Sequence, residues 1–79
     1  MHYTYILKSK KDNSYYIGST QNLKNRLKIH NQKGSKYSSS KAPFNLVWYG
    51  AFETKNKSIL FEKYLKSSSG FAFRNKRLI

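Results

Sequence analysis

The sequence has no cysteine, one proline, four glycines and only three carboxylate side chains in 79 residues. Without cysteine the chain can form no disulfide, thiolate metal site or cysteine nucleophile. Its longest clear apolar runs, such as residues 46–49, are far too short to span a bilayer, and the N-terminus lacks the hydrophobic segment of a signal peptide. We therefore expect a soluble, cytoplasmic protein with no membrane partner.

The length limits the organisation of the chain. A chain of 79 residues buries only roughly 60% of the surface that its unfolded form exposes, so it can form one modest core. We expect residues 1–79 to form a single domain, with no room for a separate cofactor-binding fold.

The scarcity of acidic residues leaves the basic ones almost unopposed. Sixteen Lys and Arg against three Asp and Glu give a formal net charge of +13. A compact body with this charge repels itself, and the cost is usually tolerated because a polyanion binds it. A generic solvated surface and an anionic membrane are the alternatives. The charge nevertheless favours nucleic acid as the partner.

Hydrophobic patterning predicts an α/β (α+β) fold with a small three-stranded sheet, antiparallel or mixed, flanked by helices. The order is β-β-α-β-α, with a possible final helix. Strands are predicted over residues 1–8, 14–19 and 44–53, helices over 21–31 and 57–66, and a loop over 32–43. Thr20 is the predicted N-cap of the first helix. The third strand is expected to return beside the first, which becomes central, and to run parallel to the second.

The predicted hairpin brings tyrosines together. If its loop has an even number of residues, Tyr5 and Tyr16 fall on the same sheet face, together with Tyr3, Leu7 and Gly18. Tyrosine is common in strands for ordinary reasons. Gly18 is more informative, because a glycine inside a strand often marks a close approach by a ligand or another backbone.

The first predicted helix carries Arg26 and His30 beside its apolar stripe, which Leu23 and Leu27 define. An arginine at this margin can simply extend to water, and a lone histidine is more often a structural hydrogen-bonding group. The chain has only three arginines, however, and a forked guanidinium facing the tyrosines suits a phosphate better than lysine would.

The three carboxylates are the candidate metal ligands. Asp12 lies in a predicted turn and Glu53 ends a predicted strand, which are ordinary places for them. Glu62 lies on the second helix, where it could simply pair with Lys66 four residues on. Beside two tyrosines, an arginine and a basic surface, Glu62 becomes the expected ligand of a hard divalent cation, because such ions prefer oxygen.

These residues, in this order, resemble the GIY-YIG endonuclease family. The first half-motif falls at residues 3–5 and the second is intact at residues 16–18. The run through Arg26 and His30 is similar to the family's strand, turn and helix. Residues 61–66 resemble its later helix with a metal-binding Glu. The chain departs from the family's pattern at Tyr3, where the first half-motif has glycine. It also departs at Ser19, where the excision-repair nuclease subunits carry lysine, and at Phe71, where stand-alone relatives often carry a basic residue.

The resemblance implies a metal-dependent endonuclease that hydrolyses phosphodiester bonds, with DNA favoured over RNA. Glu62 would hold Mg²⁺ or Mn²⁺, Arg26 would stabilise charge on the phosphoryl oxygens, and Tyr5 or Tyr16 would accept the proton of the attacking water. His30 would assist by hydrogen bonding. Intrinsic sequence specificity is expected to be low unless a protein partner supplies targeting. The alternative is a non-catalytic nucleic-acid-binding module on the same fold. The expected nucleic-acid contacts are basic: Lys24, Lys28, Lys33, Lys36, Lys41 and Arg74.

We predict that affinity for DNA falls with salt along a straight log–log line, with a slope of roughly 0.9 per phosphate neutralised. Lys24→Ala or Lys28→Ala should reduce this slope and leave sequence preference unchanged, because a phosphate contact carries no base information. Fluorescence anisotropy titrations at several salt concentrations measure both quantities. A salt-insensitive affinity would remove the main argument for a nucleic-acid partner.

Overall fold

A computed structural model describes residues 1–31 and 43–79 of the chain. Within these ranges the chain forms three strands and three helices in the order β-β-α-β-α-α. They are β1 (His2–Ser9), β2 (Tyr15–Thr20), α1 (Leu23–Asn31), β3 (Phe44–Phe52), α2 (Lys55–Lys66) and α3 (Ser68–Arg77). The strand order is β2-β1-β3 and both pairings are antiparallel. The predicted α+β fold, the central first strand and the final helix are therefore confirmed, and β3 runs parallel to β2 with β1 between them.

The turn between β1 and β2 sets the register of the hairpin. The amide of Ser9 donates to the carbonyl of Ser14 at 2.8 Å, and the amide of Asn13 donates to the carbonyl of Ser9 at 3.0 Å. Asn13 has a φ of 64°, a left-handed conformation that asparagine tolerates better than most residues. Residues 10–13 thus form an even-numbered loop, and the register places Tyr5 opposite Gly18 and Leu7 opposite Tyr16. The prediction that these side chains share a face is confirmed.

The two faces of the sheet bury different clusters. On one face Tyr5 and Leu7 pack with Phe44 and with Leu23 and Leu27 of α1. The opposite face belongs to a second cluster, which consists of Ile6, Ile17 and Leu65 with partly buried aromatic neighbours. Helices therefore cover both faces, as a sheet of this size requires.

A buried hydrogen bond holds α2 on the second face. The Thr4 hydroxyl donates to the carbonyl of Ser58 at 2.7 Å, and both residues are fully buried. Because an unpaired hydroxyl in this position would be costly, the bond fixes where α2 lies on the sheet.

The helix boundaries differ from the predicted ones because of their caps. The side-chain oxygen of Asn22 accepts from the amide of Asn25 at 3.0 Å, so Asn22 caps α1. Thr20, the predicted cap, instead bonds to the backbone of Asn22. Likewise, Thr54 accepts from the amide of Lys57 at 3.2 Å, and α2 begins at Lys55, two residues before its predicted start.

The end of α1 is fixed to the start of β3. The Asn31 side-chain oxygen accepts from the amide of Phe44 at 2.7 Å, and its amide nitrogen donates to the carbonyl of Phe44 at 3.4 Å. The loop predicted over residues 32–43 lies, apart from Pro43, outside the described residues. None of the helices within the described ranges is long and apolar enough to cross a membrane.

Gly18 allows the Tyr5 ring to lie against the backbone of β2. A Cβ atom at Gly18 would stand 2.5 Å from the Tyr5 hydroxyl oxygen and 2.7 Å from Cζ. Both distances are shorter than atoms tolerate, and the Tyr5 ring is buried and cannot swing away freely. The close approach that the sequence predicted at Gly18 is therefore made by a side chain of the neighbouring strand.

We predict that Gly18→Ala destabilises the fold by about 1–3 kcal/mol, the usual cost of forcing extra atoms into a packed interior. Urea unfolding of the wild type and the variant measures this change. In a Tyr5→Leu background, which lacks the ring, the same alanine should cost much less. An equal cost in both backgrounds would show that the Tyr5 ring is not the obstacle.

Candidate active site

Three predicted site residues form a compact aromatic cluster. Tyr5 comes from β1, Tyr16 from β2 and His30 from α1. The Tyr5 hydroxyl lies 3.3 Å from His30 Nε2, and the ring centroids of Tyr16 and His30 are 4.6 Å apart. The rings of Tyr5 and Tyr16 are stacked, with centroids 6.4 Å apart. The structure thus brings together two tyrosines and a histidine that lie up to 25 residues apart in sequence.

The Tyr5 phenol is held in its protonated form. Burial raises the pKa of Tyr5 far above its ordinary value, and the neighbouring Tyr16 and Glu62 add to this increase. The positive charge of Arg26 acts in the opposite direction but is a weaker influence than burial and Tyr16. Tyr5 is therefore suited to hydrogen bonding and poorly suited to accepting a proton as a phenolate.

His30 is held in its neutral form. Burial lowers the pKa of His30, and the nearby charge of Arg26 lowers it further. The side chain is only 3% exposed, and its Nδ1 has no hydrogen-bond partner among the described residues. A buried, neutral imidazole bonded to Tyr5 can orient that phenol without adding charge to the site.

Arg26 provides the positive charge at the margin of the cluster. It is exposed on α1, yet its charge influences the pKa of both Tyr5 and His30. Together with Ser19 and Lys55 it lines an open cleft of about 440 Å³. Among the described residues no carboxylate forms an ion pair with Arg26. The guanidinium is thus available to contact an anion in this cleft.

Glu62 influences this cluster electrostatically but, among the described residues, is not hydrogen-bonded to it. The residue is on α2, which packs against the opposite face of the sheet. Its Oε2 lies 2.8 Å from Lys66 Nζ, so the ordinary helix ion pair considered from the sequence is formed. Glu62 nevertheless raises the pKa of Tyr5, which places its charge within electrostatic reach of the cluster.

The fit of a divalent cation rests on this one carboxylate. Among the described residues no group of three or more His, Asp or Glu side chains could hold a metal ion. Glu62 is partly accessible, with 21% of its side chain exposed, and offers the oxygen chemistry that Mg²⁺ and Mn²⁺ prefer. A single carboxylate fits an ion whose remaining ligands are water and substrate phosphate, the usual arrangement for Mg²⁺.

The residues predicted to contact nucleic acid fall into three groups. Lys24 and Lys28 are exposed on α1. Arg74 is buried, and its guanidinium carbon lies 4.9 Å from the Tyr15 ring centroid and 4.5 Å from that of Phe71. The others, Lys33, Lys36 and Lys41, lie outside the described residues.

The sequence did not single out Lys55, Tyr15 or Phe71 as possible contact residues. Lys55 joins the Arg26 cleft only because the start of α2 lies near the end of β2, which no local pattern reveals. Phe71 and Arg74 are three residues apart on one helix, so their contact could have been expected once α3 was assigned.

Comparison with known proteins identifies the family. A family model described as the GIY-YIG catalytic domain matches residues 1–77. The chain belongs to the GIY-YIG family. This membership points to a nuclease, a hydrolase that acts on nucleic acid. The two half-motifs that give the family its name lie on the paired strands β1 and β2, and they contribute Tyr5 and Tyr16 to the cluster.

Relatives of this GIY-YIG chain carry names that give no activity. It is 42% identical to a UPF0213 protein of Clostridium perfringens over 99% of its own length and 80% of that protein. It is 41% identical to the UPF0213 protein YazA of Bacillus subtilis over 82% of its own length and 66% of that protein. The solution NMR structure of the UPF0213 protein BH0048 from Bacillus halodurans is similar, with 34% identity and a TM-score of 0.57, covering 98% of this chain and 85% of that one.

We predict that His30 makes the fold less stable in mild acid. Its pKa is lower in the folded state than the ordinary 6.5, so the unfolded chain binds the proton more readily. The stabilisation is complete above about pH 6.5 and is lost as the pH falls towards the pKa of His30 in the folded state. Urea unfolding between about pH 7.5 and 5, above the usual titration range of carboxylates, measures the loss.

Two substitutions test the assignment to His30. His30→Gln should be less stable than the wild type at neutral pH but show a flatter pH dependence. His2→Gln removes the other histidine of the chain and should retain the wild-type pH dependence. A wild-type slope in His30→Gln would contradict the assignment.

Proposed function

We propose that this protein is a divalent-metal-dependent endonuclease that hydrolyses phosphodiester bonds in DNA with low intrinsic sequence specificity. The observation that carries the proposal is the convergence of Tyr16 and His30 with the guanidinium of Arg26, in a chain with a net charge of +13. Family membership supports nuclease chemistry, and the basic surface supports a polyanionic substrate.

Arg26 binds the scissile phosphate in this proposal. Its exposed guanidinium can donate two parallel hydrogen bonds to phosphate oxygens, which lysine cannot do with the same geometry. Charge accumulates on these oxygens as water attacks phosphorus, so a fixed cation beside them stabilises the transition state more than the ground state.

Tyr16 is the better candidate of the two tyrosines for accepting the proton of the attacking water. Tyr5 is 2% exposed and strongly held in its protonated form. Tyr16 is only partly buried and lines an open cleft, so a substrate can reach it. In the hydrolysis, the water oxygen bonds to phosphorus as the bond between phosphorus and the leaving oxygen breaks. Tyr16, in its phenolate form, takes the water proton, and solvent protonates the leaving oxygen.

Tyr5 and His30 position Tyr16. Their hydrogen bond fixes two rings that flank Tyr16, and Gly18 provides the space in which this arrangement forms. Glu62 would hold Mg²⁺ or Mn²⁺, and the ion would neutralise charge on a phosphate oxygen and on the leaving oxygen.

The alternative is a nucleic-acid-binding module without catalysis. The ion pair between Glu62 and Lys66 favours it, because a carboxylate satisfied by lysine needs no metal ion. Such a module would retain salt-dependent binding but would require neither Glu62 nor a divalent cation.

We predict that the pure protein cleaves at least one of branched, single-stranded and duplex DNA with Mg²⁺ or Mn²⁺, and that chelator stops the reaction. Arg26→Ala should lower turnover by about 10²-fold or more, because it removes a preorganised charge donor. Glu62→Gln should abolish cleavage and leave binding intact or slightly tighter, since one negative charge is lost. Tyr16→Phe should also slow the reaction.

Matched controls distinguish chemistry from folding. Glu53→Gln removes an exposed carboxylate outside the site and should cleave at the wild-type rate. Circular dichroism should show that each variant remains folded. If the wild type cleaves none of the substrates with either metal, the binding module is correct. If Glu62→Gln cleaves as well as the wild type, the proposed metal ligand is wrong.

A further inference from the structure

A second cleft, of about 430 Å³, opens along the outer edge of β2. Residues of β2, α2 and α3 line it: Tyr15, Tyr16, Ile17, Leu65, Lys66, Phe71 and Arg74. It is separate from the Arg26 cleft, with which it shares no lining residue. Tyr16 belongs both to this cleft and to the aromatic cluster, so a polymer bound at the cluster can continue into it.

Arg74 gives this cleft a buried positive charge. Its guanidinium lies against the rings of Tyr15 and Phe71, and its Nε donates to the side-chain oxygen of Asn75 at 3.2 Å. Among the described residues no carboxylate forms an ion pair with it. A guanidinium that lies close to two rings still has its terminal N–H donors for an anion, and a buried charge without a counter-ion favours binding one.

Phe71 gives the same cleft an exposed aromatic wall. The side chain is 54% exposed, although it belongs to a helix that buries other positions. An aromatic ring of this kind offers a surface on which a base can stack, and every base has such a face. Bases inside a duplex stack on each other, so only an unpaired base can use Phe71.

We propose that this cleft is a nucleotide-binding subsite that holds one unpaired nucleotide next to the scissile phosphate. The base stacks on Phe71, and the phosphate contacts Arg74 together with Lys66, whose side chain is 53% exposed. The proposal rests on the proposed function in taking nucleic acid as the ligand. It adds a substrate class, namely strands with an unpaired nucleotide beside the cleavage position.

Binding without cleavage tests this subsite. Three labelled probes of equal length are titrated in chelator: single-stranded oligothymidine, an abasic strand and a duplex. Phe71→Leu should weaken binding of oligothymidine by about five- to a hundredfold, the loss expected for one base–aromatic stack. It should change affinity for the abasic strand or the duplex less than twofold, because neither offers a free base.

Phe73→Leu is the matched control. Phe73 lies on the same helix, is 36% exposed and packs against Tyr64 with ring centroids 5.9 Å apart, outside the cleft. It should bind all three probes like the wild type. Equal weakening by both variants, or equal affinity of Phe71→Leu and the wild type for oligothymidine, would overturn the subsite.

A fluorescence readout covers the case in which Phe71→Leu is unstable. Phe71→Trp keeps an aromatic wall and should lose fluorescence on binding oligothymidine, over the background of Trp48 in the wild type, whereas Phe73→Trp should not. No quenching in Phe71→Trp would reject the proposal. If the wild type cleaves DNA but Phe71→Leu binds oligothymidine as tightly as the wild type, the subsite alone is rejected. If Phe71→Leu weakens the binding of oligothymidine but the wild type cleaves no substrate, the subsite is retained and the nuclease proposal is rejected.

Discussion

The Tyr5 ring lies across the backbone of β2 at Gly18, where a Cβ atom would overlap its hydroxyl group. This contact carries the phenol from the central strand over the edge strand, within 3.3 Å of His30 on α1. Tyr16 then stacks on the Tyr5 ring and lies tilted against the His30 ring. Since α1 also packs its leucines around Tyr5, the position of Arg26 depends on the same contact. A methyl group at residue 18 would therefore disturb the contact on which the positions of the other site residues depend.

The electrostatics of the cluster follow from this packing. Burial moves the pKa of Tyr5 upwards and that of His30 downwards, so both groups are held neutral around physiological pH. Two neutral partners can share a buried hydrogen bond without the desolvation cost that an ion pair would carry. The charge is kept at the margin, on exposed Arg26 and on the partly exposed pair of Glu62 and Lys66. An anionic substrate would thus meet cations first and the tyrosines behind them.

Much of this arrangement could be predicted from the sequence because it depends on local rules. The even-numbered turn before Ser14 placed Tyr5 and Tyr16 on one face, and the crossover through α1 placed β1 in the centre. The cap of α1 was predicted wrongly, because Thr20 and Asn22 are both good caps and only the fold decides which oxygen reaches the amide of Asn25. The face occupied by α2 was not predictable either, since it depends on the packing of Leu65 and on the Thr4–Ser58 bond.

The position of α2 links the β2 cleft to the aromatic cluster through Lys66. This lysine lines the β2 cleft and also pairs with Glu62, whose charge reaches Tyr5. A partly exposed i,i+4 pair is worth only about 0.3–0.5 kcal/mol, so a phosphate or a divalent cation can compete for either partner. A phosphate in the cleft that attracts Lys66 would leave Glu62 more negative and a stronger ligand for a cation. In the proposed enzyme, a phosphate at the edge of β2 and a cation at Glu62 should therefore favour each other, and linkage makes the effect reciprocal.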